Sequence, residues 1–123
     1  FILIRREKME LNILKNIPHE EVTLLKDLVK IQDGQVVSKT LAQNSAVSIT
    51  VFAFDKNEEI GTHDSSGDAM VTVLEGIGAF MVDGKEYILN QGETLVMPAN
   101  KPHSVFAKEA FKMLLIVVFP QNK

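Results

Sequence analysis

The chain contains no cysteine. Disulfides, thiolate metal ligands and cysteine nucleophiles are therefore excluded, and the composition suits a reducing, cytoplasmic setting. Long hydrophobic runs are missing too. The longest, Met113–Phe119, falls far short of the roughly 20 residues a membrane-spanning helix needs, so no membrane partner is expected. Basic runs stop at Arg5-Arg6 and the net charge is −3, which argues against a nucleic-acid surface. The N-terminal residues Phe1-Ile2-Leu3-Ile4-Arg5-Arg6-Glu7-Lys8 place their apolar members before their charges, the reverse of a secretory signal. Several catalytic signatures are also absent: a Gly-x-Ser-x-Gly elbow, a phosphate-binding glycine loop and His-Glu-x-x-His. Gly76-x-Gly78 sits in a hairpin pattern with no following helix and is no nucleotide fingerprint.

What is present is one domain's worth of chain. It has 123 residues, 46% of them hydrophobic, enough to bury a core of ordinary size. Met9 is a candidate natural start, which leaves residues 1–8 open as either native or added, and no function rests on them. Residues 1–33 read as an N-terminal arm and residues 34–123 as a single β-domain. Within the arm, Leu11, Ile13, Leu14 and Ile17 suit a short edge strand broken by Pro18. Pro18-His19-Glu20-Glu21 has the composition of a first helical turn, with proline early and acids at the dipole's positive end. Val22, Leu24, Leu25, Leu28 and Val29 are spaced for one short helix or for an irregular arm packed on the β-domain.

From Asp33-Gly34 onward the pattern is β. Gln35–Leu41 and Val47–Phe54 read as strands, with Ser48, Thr50 and Phe52 on one face of the second. Ala69–Leu74 is apolar on both faces, as for a strand covered on both sides. Ala79–Val82, Asp83-Gly84 and Lys85–Leu89 form a hairpin signal in which Asp-Gly suits a type I′ turn. Thr94–Met97, Ser104–Ala107 and Phe111–Phe119 complete eight or nine short strands. Turn signals every 8–12 residues, with no long helix after residue 33, predict an all-β sandwich or jelly-roll barrel.

The stretch from Gly61 to His103 carries a family resemblance. Asn57, His63, Ser65, Ala69 and Gly76 fall in register on a pattern of glycine, five residues, His-x-His, three or four residues, glutamate, six residues, glycine. Gly92, Pro98, Asn100, His103 and Ala107 fall on glycine, five residues, Pro-x-Gly, two residues, histidine, three residues, asparagine. His63, Gly76, Gly92, Pro98 and His103 match, with no insertion, and residues 77–91 separate the motifs. The chain thus resembles the small single-domain microbial cupins from about Gln35 to Phe119. The resemblance implies a jelly-roll β-barrel with a small-molecule pocket, often a homodimer, and by itself no particular activity.

In the full cupin pattern three histidines and a glutamate hold a divalent transition metal. The resemblance therefore implies iron, manganese, nickel, copper or zinc at His63, Ser65, Ala69 and His103. Only two imidazoles remain there. A serine hydroxyl stays protonated at neutral pH and alanine offers no donor, so the motif is degenerate. Three outcomes stay open: no metal, with His63, Ser65, Ala69 and His103 lining an organic-ligand pocket; a weak site of His63, His103 and waters; or a site completed by Asp68. Strand parity turns Asp64 and Asp68 away from the interior, unless Ser66-Gly67 forms a bulge that re-aims Asp68. The last set, two histidines and a carboxylate, suits non-haem iron.

The expected function is binding of a small organic ligand in the barrel. The alternatives are a metal-dependent enzyme of dioxygenase, isomerase or decarboxylase type using His63 and His103, and a barrel that acts through its surface. A homodimer is expected, with Phe111–Phe119 and the arm as the interface. Met70, Met81, Met97 and Met113 read as core filling or as an adaptable apolar lining. Gln35, Ser38, Ser48 and Thr50 include one set able to point inward. His19 lies outside both motifs and is assigned no role.

Overall fold

Alternation of small apolar and polar residues builds the strands. In the segment Asp68–Glu75, Ala69, Val71 and Val73 are buried while Asp68 and Met70 are exposed, the period of two that a pleated strand imposes. The computed structural model describes residues 13–122. Its strands are β1 (Val36–Gln43), β2 (Val47–Phe54), β3 (Glu59–His63), β4 (Asp68–Glu75), β5 (Gly78–Val82), β6 (Lys85–Leu89), β7 (Thr94–Met97), β8 (His103–Phe106) and β9 (Phe111–Val118). They form a five-stranded sheet in the order β1-β2-β9-β4-β7 and a four-stranded sheet in the order β3-β8-β5-β6. Every pairing is antiparallel. This is the all-β jelly-roll sandwich expected from the sequence.

The core lies between the sheets. Phe54 and Phe111 stack at 4.7 Å between ring centroids, and Phe80 meets Phe111 edge-on at 6.1 Å. Val71, Val73, Met97, Val105 and Met113 fill the space around them. The β5–β6 hairpin turns through Asp83 (φ 50°) and Gly84 (φ 84°), the two left-handed positions a type I′ turn requires.

The arm differs from its sequence reading in detail. Leu11 and residues 1–8 lie outside the described residues, and Ile13–Ile17 form no strand. Glu20 has φ 58°, a left-handed conformation incompatible with the helical turn expected at Pro18–Glu21. One 3₁₀ turn, Leu25–Leu28, stands where a short helix was one of two expectations. The other expectation, an irregular packed arm, describes the segment. Ile17, Leu25, Leu28, Val29 and Ile31 cover Leu41, Val51 and Ala53 on the outer face of the five-stranded sheet. Lys112 Nζ fastens it by donating to the Lys26 carbonyl at 2.7 Å.

This partial cover corrects the reading of β4 as buried on both faces. Leu74 packs under the arm, but Met70 is 39% exposed. The arm shields only one end of the sheet's outer face.

Candidate binding site

His63 ends β3 and His103 opens β8, and the two are directly paired across the strands. Antiparallel partners point to the same face, so the chain brings two imidazoles from 40 positions apart into contact. Their ring centroids are 4.3 Å apart, with planes at 70°. The loops flanking them are knitted together. Asn100 N–H donates to the Ser65 carbonyl at 2.7 Å, and Ala99 N–H donates to Asp68 Oδ1 at 2.8 Å. Asn100 turns the β7–β8 loop with φ 66°, a conformation asparagine tolerates better than most residues.

The two rings are oriented in the same way. His63 Nδ1 donates to the Gly61 carbonyl at 2.9 Å, and His103 Nδ1 donates to the Lys101 carbonyl at 3.1 Å. A carbonyl oxygen only accepts, so the proton is on Nδ1 in both rings and the lone pair of each neutral ring is on Nε2. His103 is 5% exposed, whereas His63 is exposed. Burial pushes the His103 pKa below its ordinary value of 6.5. Its bond to the Lys101 carbonyl opposes this, the nearby His63 adds to it, and Asp64 opposes it weakly. His103 is therefore neutral at pH 7.

Both histidines line a cavity of about 130 Å³ between the sheets. Ser65 and Ala69 line it too, so the four pocket positions expected from the sequence come together. The remaining walls are apolar, with Phe52, Ile60, Met97 and Leu115 among them. Ile60 carries no signal in the sequence, because the polar residues around it mask a strand. Phe52 and Leu115 belong to β2 and β9, and the sequence does not mark which face of either strand turns inward. Of the four methionines, Met97 and Met113 are buried and line the cavity, while Met70 and Met81 face outward. Gln35 and Ser38 are exposed. Ser48 is half-buried and Thr50 is buried, its hydroxyl 3.5 Å from that of Thr40, and none of Gln35, Ser38, Ser48 and Thr50 borders the cavity. His19 is exposed and its Nε2–H donates to the Leu14 carbonyl.

The residues present do not fit the divalent centre that the cupin pattern implies. β3 ends at His63, so Ser65 is not the next inward residue of the same strand; it sits in the following loop. Its Oγ accepts from Gly67 N–H at 3.1 Å. Ala69 brings no donor atom. Asp68 does not turn inward: Ser66-Gly67 leave the parity of β4 intact, and the carboxylate is held outside by Ala99 N–H. Among the described residues no three of His, Cys, Asp and Glu converge as a metal site.

Comparison with known proteins agrees with this architecture. Residues 50–119 match the family model described as the cupin domain. A conserved protein of unknown function from Streptococcus pyogenes is similar, at 46% identity and a TM-score of 0.89, with 91% of this chain and 98% of that chain covered. A cupin superfamily protein from Desulfitobacterium hafniense is 33% identical at a TM-score of 0.83, covering 87% of this chain and 98% of that one. A salicylate 1,2-dioxygenase from Pseudoaminobacter salicylatoxidans, in complex with gentisate, shares the fold at 19% identity and a TM-score of 0.63, over 68% of this chain and 25% of that one. No curated protein matches the chain. The chain belongs to the cupin family, and its particular character is a barrel with two of the four motif ligands retained. Among the described residues no helix is long and apolar enough to cross a membrane.

Proposed function

We propose that this cupin binds a small organic molecule in the barrel cavity. His63 and His103 accept hydrogen bonds from the ligand's polar end, and Phe52, Ile60 and Leu115 take its carbon skeleton. The observation that carries this reading is the matched pair of Nδ1–H bonds to Gly61 and Lys101, which leaves both Nε2 atoms without a partner among the described residues. Neither Nε2 is sealed from solvent, and a ligand with two donors takes the place of water there. The dioxygenase likeness is one of fold alone and brings no activity to this chain. A thermal-shift screen of small organic metabolites tests the reading. Ligand at a hundred times its Kd adds about 2.7 kcal/mol of stability. We expect a shift with the parent protein and none with the His63→Ala/His103→Ala variant. A broad panel with no shift for the parent contradicts the reading.

A homodimer is part of the same proposal. Phe111 and Met113 of β9 are spent in the core, so the surface that supports it is the outer face of the five-stranded sheet beyond the arm. There Met70, Val96 and Val118 are 39%, 51% and 57% exposed, and Met70 pairs with both Val96 and Ile116. A contiguous apolar stripe of this kind suits a second copy. Light scattering at tens of micromolar should give twice the chain mass; a monomer contradicts the dimer.

A further inference from the structure

We propose a second small-molecule site on the open side of the sandwich, where Lys85, Tyr87 and Lys101 hold the carboxylate of a small apolar monoacid. Among the described residues β6 pairs only with β5, and β7 only with β4. Each is therefore the edge of its sheet. A cavity of about 350 Å³ is lined from both edges, a volume within the range of ordinary small-molecule sites, roughly 300–1,000 Å³. It shares no lining residue with the cavity of His63 and His103.

Register places the charged groups. Lys85 pairs with Val82 and Tyr87 with Phe80. Val82 and Phe80 are buried in the core, and opposed residues of an antiparallel pair project to one face. Lys85 and Tyr87 thus belong to the inner face of β6. An inward lysine on an edge strand guards that edge against pairing with another sheet, a role that asks nothing of its surroundings. Here the surroundings are specific. Lys85 Nζ stands 5.2 Å from the centroid of the Tyr87 ring. Among the described residues no carboxylate pairs with Lys85. Val82, Leu95 and Pro98 supply an apolar wall.

The rim selects the charge of the ligand. Lys101 Nζ donates to Asp83 Oδ2 at 3.3 Å, and both residues border the cavity. Two ammonium groups and one carboxylate leave a single positive charge, in a chain whose net charge is −3. A carboxylate balances that charge, and a dianionic phosphate monoester exceeds it. The rim is also braced in advance. Asp83 N–H donates to the Pro102 carbonyl at 2.8 Å, which fastens the β5–β6 turn to the β7–β8 loop. The two cavities therefore sort ligands by opposite polarity. His63 and His103 present acceptor nitrogens and take a donor; lysine ammonium groups only donate and take an acceptor. The inference does not rest on the reading of the barrel cavity.

Tyr87 is the chain's only tyrosine and there is no tryptophan, so tyrosine emission reports on this cavity directly. The test is titration of the full chain with hexanoate at pH 7.5, read by that emission, with 1-hexanol, hexylammonium and hexyl phosphate run beside it. We expect a saturable change with hexanoate and at least tenfold weaker binding of the other three. Lys85→Gln should weaken hexanoate at least tenfold. Lys101→Gln, which leaves Asp83 unopposed, should do the same. Lys108→Gln, a surface lysine outside the cavity, should bind as the parent does. Melting curves of each variant report folding separately. No emission change with hexanoate overturns the inference, as does equal binding of 1-hexanol or hexyl phosphate, or parental affinity in Lys85→Gln. The two readings fail separately. A metabolite-induced thermal shift that needs His63 and His103, with emission indifferent to hexanoate, sinks this inference and leaves the barrel reading standing. Hexanoate binding that needs Lys85, with no such shift, does the converse.

Discussion

His63 and His103 face each other across β3 and β8, and each is held by the carbonyl two residues before it, Gly61 for one and Lys101 for the other. The repeated arrangement follows from the pairing. Each imidazole stands at a strand end; Lys101 lies in the loop before β8, and Gly61 lies in the register break of β3, so each carbonyl accepts from Nδ1. The consequence is a pair of Nε2 lone pairs at one cavity, one ring buried and one at the surface.

Stability should fall with acidification through His103. Its pKa is lowered from 6.5, first by burial, so below that pH the unfolded chain binds more protons than the folded one. Stability rises with pH wherever the unfolded state holds more protons. The contribution is therefore fully present above pH 6.5 and is lost as pH falls through the folded-state pKa. Urea unfolding between pH 7.5 and 5.5 should show a falling midpoint for the parent and a flatter one for His103→Gln. Equal slopes would contradict the assignment.

The glycine positions of the motifs provide a second check. Asn57 and Asn100 replace two motif glycines, and their φ angles are 71° and 66°. Both remain left-handed, which asparagine tolerates and alanine does not. Asn57→Gly and Asn100→Gly should change stability by a few tenths of a kcal/mol, and the alanine variants should each lose about 1 kcal/mol or more. Denaturant midpoints decide it; alanine variants as stable as the glycine ones would show that backbone conformation is not the constraint.

Those two asparagines show how the sequence both conceals and reveals the fold. Counted as letters they depart from the cupin pattern, yet as conformations they obey it. The hairpin at Asp83-Gly84 and the strands Lys85–Leu89 and Thr94–Met97 were legible because turn chemistry and alternation agree there. β3 was not, because Glu59 and Thr62 give it a polar face and Gly61 interrupts it. The outward placing of Asp68 followed from parity. Its bond to Ala99 N–H did not, since it joins residues 31 apart. Ser65 follows His63 by two positions, and no local signal marks the end of β3 between them.

Asp68 should prove structural. Removing its bond to Ala99 N–H in Asp68→Ala should cost about 1 kcal/mol, because the carboxylate is exposed. It should leave binding of an organic ligand in the cavity as in the parent. A variant of parental stability that had lost its ligand would place Asp68 in the site.

The aromatic centre should dominate the energetics. Phe111 is fully buried, stacks on Phe54 and meets Phe80 edge-on. Phe111→Ala should cost about 3–5 kcal/mol, far more than truncation of the exposed Val118. Chemical denaturation of both variants compares them, and similar losses would contradict this placing of the core.

The most direct measurement is long-range ¹H–¹⁵N correlation NMR of the histidine rings at pH 7.5 in metal-free protein. The account predicts that His63 and His103 each carry their proton on Nδ1, with an unprotonated Nε2 whose resonance shifts when a ligand enters the cavity. An Nε2–H tautomer in either ring, or Nε2 resonances indifferent to a ligand known to bind, would contradict the claim that this pair forms the polar end of the site.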